Sequence, residues 1–158
     1  MIYWENQEAN EVLLQVLNND GVVLAQSDTV LGLFAQLSEI AKKKLDSIKV
    51  RNFKPYIVMI ASKNVLESFI DQKLDDAMVK IIDTHWPGPL TIIFKASKNL
   101  PDWLINSLDN TIAIRVPDHC GLQKLLKNMH ALFTTSANIS GQPLPATIEE
   151  CDSSLMQQ

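Results

Sequence analysis

Phe133-Thr134-Thr135-Ser136-Ala137-Asn138-Ile139-Ser140-Gly141 takes the chain out of an apolar run, Ala131-Leu132-Phe133, into four hydroxyl residues, an amide and a glycine. We read residues 131–134 as a strand and residues 135–141 as a loop. That loop offers hydroxyl, amide and backbone donors to a small polar ligand. Ser136 and Asn138 are two apart, so in extended backbone they face the same way. Turn chemistry accounts for any one of these residues, because Ser and Asn often bond their own backbone. For the whole string a ligand loop is the better reading.

The segments on either side alternate between helix and strand. Residues 7–19 carry Val12, Leu13, Val16 and Leu17 at helical spacing, with Gly21 ending the helix. Val22 to Ala25 reads as a short buried strand, then comes the polar loop Gln26-Ser27-Asp28-Thr29 and the apolar run Val30 to Phe34. Residues 38–48 read as a helix with Ile40, Leu45 and Ile48 inward and Lys42, Lys43 and Lys44 mostly outward. Tyr56–Ala61 and Leu90–Phe94 read as strands. Residues 64–70 and 74–85 read as helical, with Val79, Ile82 and Trp86 on one apolar face. Pro87-Gly88-Pro89 is a turn, and 111–116 is a strand ending at Pro117. Residues 119–129 form a helix with Leu122, Leu125 and Leu126. The capping box Thr147-Ile148-Glu149-Glu150 predicts a last helix. The alternation favours one α/β sheet covered by helices. In such sheets ligands sit where loops leave the carboxyl ends of strands, so Gln26–Thr29, Arg115–His119 and Thr134–Gly141 are expected to converge.

Totals narrow the classes. The 158 residues suit a single domain, 1–158. Apolar and charged contents of 46% and 20% describe an ordinary folded protein. A net charge of −4 argues against a broadly basic nucleic-acid surface but leaves room for a local basic cleft. Cys120 and Cys151 have no metal-type spacing and read as free thiols in a reducing compartment. No signal peptide and no membrane-length apolar run is legible, so the cytoplasm is the expected location and no membrane partner is expected.

Lys49-Val50-Arg51-Asn52-Phe53-Lys54-Pro55 places three cations within six residues. One cation complements the C-terminus of the preceding helix. Three exceed that need and repel one another unless an anion lies among them, so this is an anion site. The chain has 12 Lys and only two Arg: Arg51 lies in this segment and Arg115 ends the run Thr111-Ile112-Ala113-Ile114, a placement as consistent with chance as with a need for the planar guanidinium. Ser27-Asp28-Thr29 is as consistent with an Asx-turn or helix cap as with ligand contact. Asp118-His119 reads as a helix cap. Trp86 to Thr91 reads as a structural turn feeding a strand. There is no Walker phosphate loop, no metal-ligand spacing and no assignable Ser-His-Asp triad.

Five segments together resemble the YrdC/Sua5 family of threonylcarbamoyl-AMP synthases. They are Ser27 to Leu33, Lys49-Val50-Arg51 with Lys54-Pro55, Trp86 to Thr91, Ile114 to His119, and Thr135 to Gly141, in the family's order. The resemblance implies a twisted, mixed parallel/antiparallel α/β sheet flanked by helices, with a basic concave cavity. It implies that L-threonine, bicarbonate and ATP give threonylcarbamoyl-AMP and pyrophosphate, and that a partner transferase passes the threonylcarbamoyl group to adenosine 37 of tRNA. By resemblance, Lys49 and Arg51 are catalytic, holding phosphate and carboxylate oxygens, and Lys54 adds to their field. Thr29, Leu31, Ser136 and Asn138 bind substrate. Arg51, Thr134, Ser136, Asn138 and Ser140 bind nucleotide, and Arg115 either contacts nucleotide phosphate or orders the loop. Mg2+ arrives with ATP, and no protein-held metal is expected. Against the usual pattern, Gln26-Ser27 replaces Pro-Thr, Leu31 stands where Tyr is common, and the chain is expected to be short at its C-terminus, where many members continue. Those departures favour the alternative reading, a weakly active or inactive member binding double-stranded RNA, tRNA or nucleotide. A carbamoyl-transfer module is a third reading.

Overall fold

The computed structural model describes residues 4, 8–49, 55–152 and 155. Among them, six strands form one mixed sheet: β1 (Val22–Gln26), β2 (Leu31–Gln36), β3 (Ile57–Ile60), β4 (Ile92–Lys95), β5 (Thr111–Arg115) and β6 (Ala131–Ser136), ordered β1-β2-β6-β3-β5-β4. The β3–β5 pair is parallel; the β1–β2, β2–β6, β3–β6 and β4–β5 pairs are antiparallel. The sheet is accompanied by the helices α1 (Ala9–Asn18), α2 (Glu39–Lys49), α3 (Asp76–His85) and α4 (Cys120–Met129). Among the described residues, no helix is long and apolar enough to cross a membrane.

Side-chain alternation divides the sheet into two faces. One carries Leu31, Leu33 and Ala35 of β2, Val58 and Ile60 of β3, Ile112 and Ile114 of β5, and Phe133 of β6. These pack with Ala41, Leu45 and Ile48 of α2 and Ile82 of α3 into the main core. The other face carries Phe34, Met59 and Leu132, covered by Leu17 of α1 and Leu122, Leu125 and Leu126 of α4. Each leucine buried there contributes about 1.5–3 kcal/mol of transfer free energy. The α1–α4 layer covers only part of this face. Beyond it lie Gly32, Thr134, Ser136, Ile57 and Arg115, which line a cavity.

Several expectations shift. β1 is an edge strand and largely half-buried rather than buried. Ile40 is 58% exposed, because Ala41 takes the inward position in α2. Val79 is also exposed, leaving Ile82 and Trp86 to make the inward contacts. The helical segment expected at 64–70 is a 3-10 helix over Lys63–Ser68. Thr147 to Glu150 is a series of bends and turns, not a helix start: the Glu150 carboxylate turns back to accept from the Ala146 N–H instead. The thiols are free, with Cys120 exposed and Cys151 buried. Burial pushes the Cys151 thiol up, and the Glu149 and Glu150 carboxylates add to that.

Candidate functional site

The cavity encloses about 330 Å³. Its floor is the sheet face beside α4, and its rim is the four-residue β1–β2 connection, Ser27–Val30. Ser27 builds that connection. Its Oγ donates to Val30 O at 2.7 Å and accepts from the N–H groups of Thr29 and Val30, each at 3.1 Å. A buried hydroxyl that satisfies three backbone groups holds the turn without help from a longer side chain.

Arg115 ties this rim to the far side of the sheet. Its Nε donates to Gly88 O at 3.0 Å, its Nη1 donates to Thr29 Oγ1 at 3.1 Å, and its Nη2 lies 2.5 Å from Asp28 Oδ1. The Asp28 contact is a close ion pair rather than an aligned hydrogen bond. Asp28 Oδ2 also accepts from the Asp118 N–H at 2.9 Å. Strands β6 and β3 separate the β1–β2 hairpin from β5 in the sheet. Contact across them requires the sheet to curl, so this face is concave. Gly88 is held from both sides, since its N–H donates to Val116 O at 2.8 Å. A Cβ at Gly88 would meet His85 O at 2.5 Å, so the close approach requires glycine.

Opposite Arg115 stands the end of β6. Here the strand runs on to Ser136, two residues beyond the expected end, because Ser136 pairs with Gly32. Thr134 and Thr135 are buried and line the cavity along with Ser136. Ser136 Oγ donates to Asn138 Oδ1 at 2.5 Å. The Lys49 ammonium donates to Ser136 O at 2.7 Å, to Asn138 Oδ1 at 3.2 Å, and to Asn138 O. Lys49 is 1% exposed, so the last residue of α2 anchors the loop after β6. A second hollow of about 400 Å³ lies outside that loop, lined in part by Asn138, Ile139, Gln142, Glu150 and Asp152.

The structure therefore unites Thr29, Arg115, Thr134 and Ser136 in one cavity, with Asn138 and Lys49 behind Ser136. Leu31 is corrected. β2 alternation turns it, 3% exposed, into the main core, and Gly32 is the residue facing the cavity. The Lys49 ammonium faces three loop oxygens, Ser136 O, Asn138 O and Asn138 Oδ1. Arg115 holds Thr29, Asp28 and Gly88. Ser140 is exposed and lines neither hollow. Arg51 and Lys54 lie outside the described residues. The expected convergence occurs, but not through a shared strand end. β5 runs antiparallel to β6, so Arg115 reaches the cavity by its length and not from the same edge. His119 caps α4 as expected, accepting from the Leu122 N–H. Sequence reasoning placed Asp28 in a converging loop without giving it a role of its own, and read Gly88 only as part of a structural turn. Their only signal was their place beside Thr29 and inside Pro87-Gly88-Pro89.

A family profile, Sua5/YciO/YrdC, described as telomere recombination, matches residues 15–158. A Methanocaldococcus jannaschii relative is 36% identical over 163 residues, covering 99% of this chain and 75% of its own length. The threonylcarbamoyl-AMP synthase of Yersinia enterocolitica is 35% identical, covering 92% of this chain and 78% of its own length. Among solved structures, P. abyssi Sua5 complexed with L-threonine matches with a TM-score of 0.81 and 30% identity over 90% of this chain. The match spans only 42% of that longer protein. E. coli YciO matches with a TM-score of 0.84 over 97% of this chain and 75% of its own; at 21% identity this bears on fold alone.

Proposed function

The chain belongs to the Sua5/YciO/YrdC family, and on that premise we propose that it is an L-threonylcarbamoyladenylate synthase, a nucleotidyltransferase acting on L-threonine, bicarbonate and ATP. The observation that carries this reading is the meeting of Thr29, Arg115, Thr134 and Ser136 in one concave cavity, in a chain 30% identical to a protein solved with L-threonine.

The chemistry has two steps. The threonine nitrogen attacks the carbon of bicarbonate, or of CO2 derived from it, giving a carbamate; from bicarbonate, water leaves. A carbamate oxygen then attacks the α-phosphorus of ATP, and pyrophosphate leaves. Negative charge gathers at that centre, and preorganised donors and cations stabilise it. In this reading Thr29 seats threonine and Ser136 faces the carbamate and nucleotide, with Asn138 supporting Ser136 from behind. Thr134 binds nucleotide. Arg51 and Lys54 provide the cationic field that makes the cavity basic. Lys49 acts from behind, fixing Ser136 and Asn138 while adding its charge. Mg2+ enters with ATP, held mainly by the phosphates. The product passes to a tRNA-modifying transferase in the cytoplasm.

Pyrophosphate release from ATP and bicarbonate, with and without L-threonine, tests the proposal. Threonine-dependent release supports it. Binding of double-stranded RNA, tRNA or nucleotide by the folded protein without turnover supports the alternative reading of a binding protein.

A further inference from the structure

The hydrogen bonds around Thr29 lead to Asp28. Ser27 Oγ donates its one hydrogen to Val30 O, and its two lone pairs face the N–H groups of Thr29 and Val30. Thr29 Oγ1 lies 3.1 Å from Ser27 Oγ but finds no free lone pair there. On its other side, Thr29 Oγ1 accepts from Arg115 Nη1. The hydroxyl is thus left with its own proton and one lone pair, on a residue that lines the cavity. Which way the proton points is set by Arg115, whose guanidinium can only donate.

Arg115 is in turn set by Asp28 and Gly88. The side chains of Asp28 and Arg115 are 9% and 6% exposed, so the pair is shielded from water, and the second Asp28 oxygen is fixed by the Asp118 N–H. Remove the carboxylate charge and the guanidinium loses the contact that opposes its rotation about Nε. Its hydrogen bond to Thr29 then loosens, and the Thr29 proton is free to turn away from the cavity.

We propose that Asp28 is a positioning residue: through Arg115 it fixes Thr29 as a hydrogen-bond donor aimed into the cavity, where it meets a carboxylate or carbamate oxygen of the amino-acid substrate. This rests on the synthase reading for the identity of that substrate. Asp28 itself touches no substrate atom; its effect passes through two intervening side chains.

The test is a double-mutant cycle read by threonine affinity and by the KM values for threonine and ATP. Asp28→Asn is expected to weaken threonine by about 10-fold or more while the ATP KM moves less than about twofold. Thr29→Val is expected to weaken threonine by a similar factor. Adding Asp28→Asn to Thr29→Val is expected to cost little more, because the group it orients is gone. A second variant, Arg115→Lys, keeps the charge opposite Asp28 but cannot span both Thr29 and Gly88. It should reproduce the Asp28→Asn pattern, and it decides the question if Asp28→Asn fails to fold by circular dichroism. Equal losses in the presence and absence of the Thr29 hydroxyl overturn the proposal, as does unchanged threonine affinity in the folded single variants. If the unaltered protein neither binds nor uses threonine, the synthase reading fails first and takes this inference with it.

Discussion

The Lys49 ammonium, at the end of α2, grips Asn138 twice, through its backbone carbonyl and its side-chain oxygen, across 89 positions of sequence. The same nitrogen holds Ser136 O, so one buried cation fixes both polar residues at the end of β6. Such a grip explains how a loop rich in small polar side chains is held in one shape.

Lys49→Met removes the cation and leaves buried carbonyls without a donor. Each such group costs about 1–3 kcal/mol, so the variant is expected to lose about 2–4 kcal/mol in urea unfolding and to lose turnover with it. Arg51→Ala is expected to behave differently. The protein is expected to stay folded while nucleotide binding, measured by calorimetry, is lost. Unchanged affinity removes Arg51 from the site.

The Leu31 and Gly32 positions face opposite ways, and substitutions there separate core from cavity. Leu31→Tyr adds bulk and a hydroxyl to the packed core, which destabilises by about 1–3 kcal/mol. The threonine KM is expected to stay within about twofold. Gly32→Ala adds a Cβ 3.1 Å from the Phe34 ring and 3.3 Å from Thr135 O, at the cavity floor. Threonine affinity is expected to fall there, with a smaller effect on thermal stability. An improved threonine KM in Leu31→Tyr contradicts this division of the faces.

Acid stability is carried partly by Asp20 and Asp71. Hydrogen bonds from Ser38 and Gln36 hold the Asp20 carboxyl below its ordinary range, and the Ser97 hydroxyl and Lys98 N–H do the same for Asp71. A carboxyl with a depressed folded pKa stabilises the fold above its ordinary pKa, near 3.9. That stability fades as pH falls through the depressed value. Asp20→Asn and Asp71→Asn are therefore expected to flatten the fall of Tm between about pH 4 and pH 2. A parent-like slope in both variants refutes the assignment.

The thiols should separate in labelling. Cys120 is exposed, whereas Cys151 is buried with its pKa raised. Near pH 8, alkylation followed by mass spectrometry is expected to modify Cys120 first, with Cys151 protected until denaturant is added. Equal rates contradict that burial.

Much of this fold was legible because its signals are local. Leu122, Leu125 and Leu126 announced the buried face of α4, and the apolar runs around Val58, Ile112 and Phe133 announced three central strands. Errors arose where a one-residue phase decides the answer. Ile40 and Ala41 differ by one helical step, and composition favours the larger hydrophobe as the inward one; Leu31 and Gly32 differ by one strand step, and there the resemblance, against composition, puts Leu31 at the substrate. The sequence reading ends β6 two residues early because Thr135 and Ser136 look like loop residues; they continue a strand whose polar end lines a cavity. The candidate site was half legible. Thr29, Arg115 and Ser136 carried local signals, but the Lys49–Asn138 and Asp28–Arg115 contacts join distant segments, and no pattern within either segment encodes them.

The most direct test of the central claim is pyrophosphate release from ATP and bicarbonate by the folded protein, with L-threonine, with L-serine, and with no amino acid. The synthase account predicts release that depends on threonine and is weaker with serine. Release indifferent to the amino acid, or none from a folded sample, contradicts it.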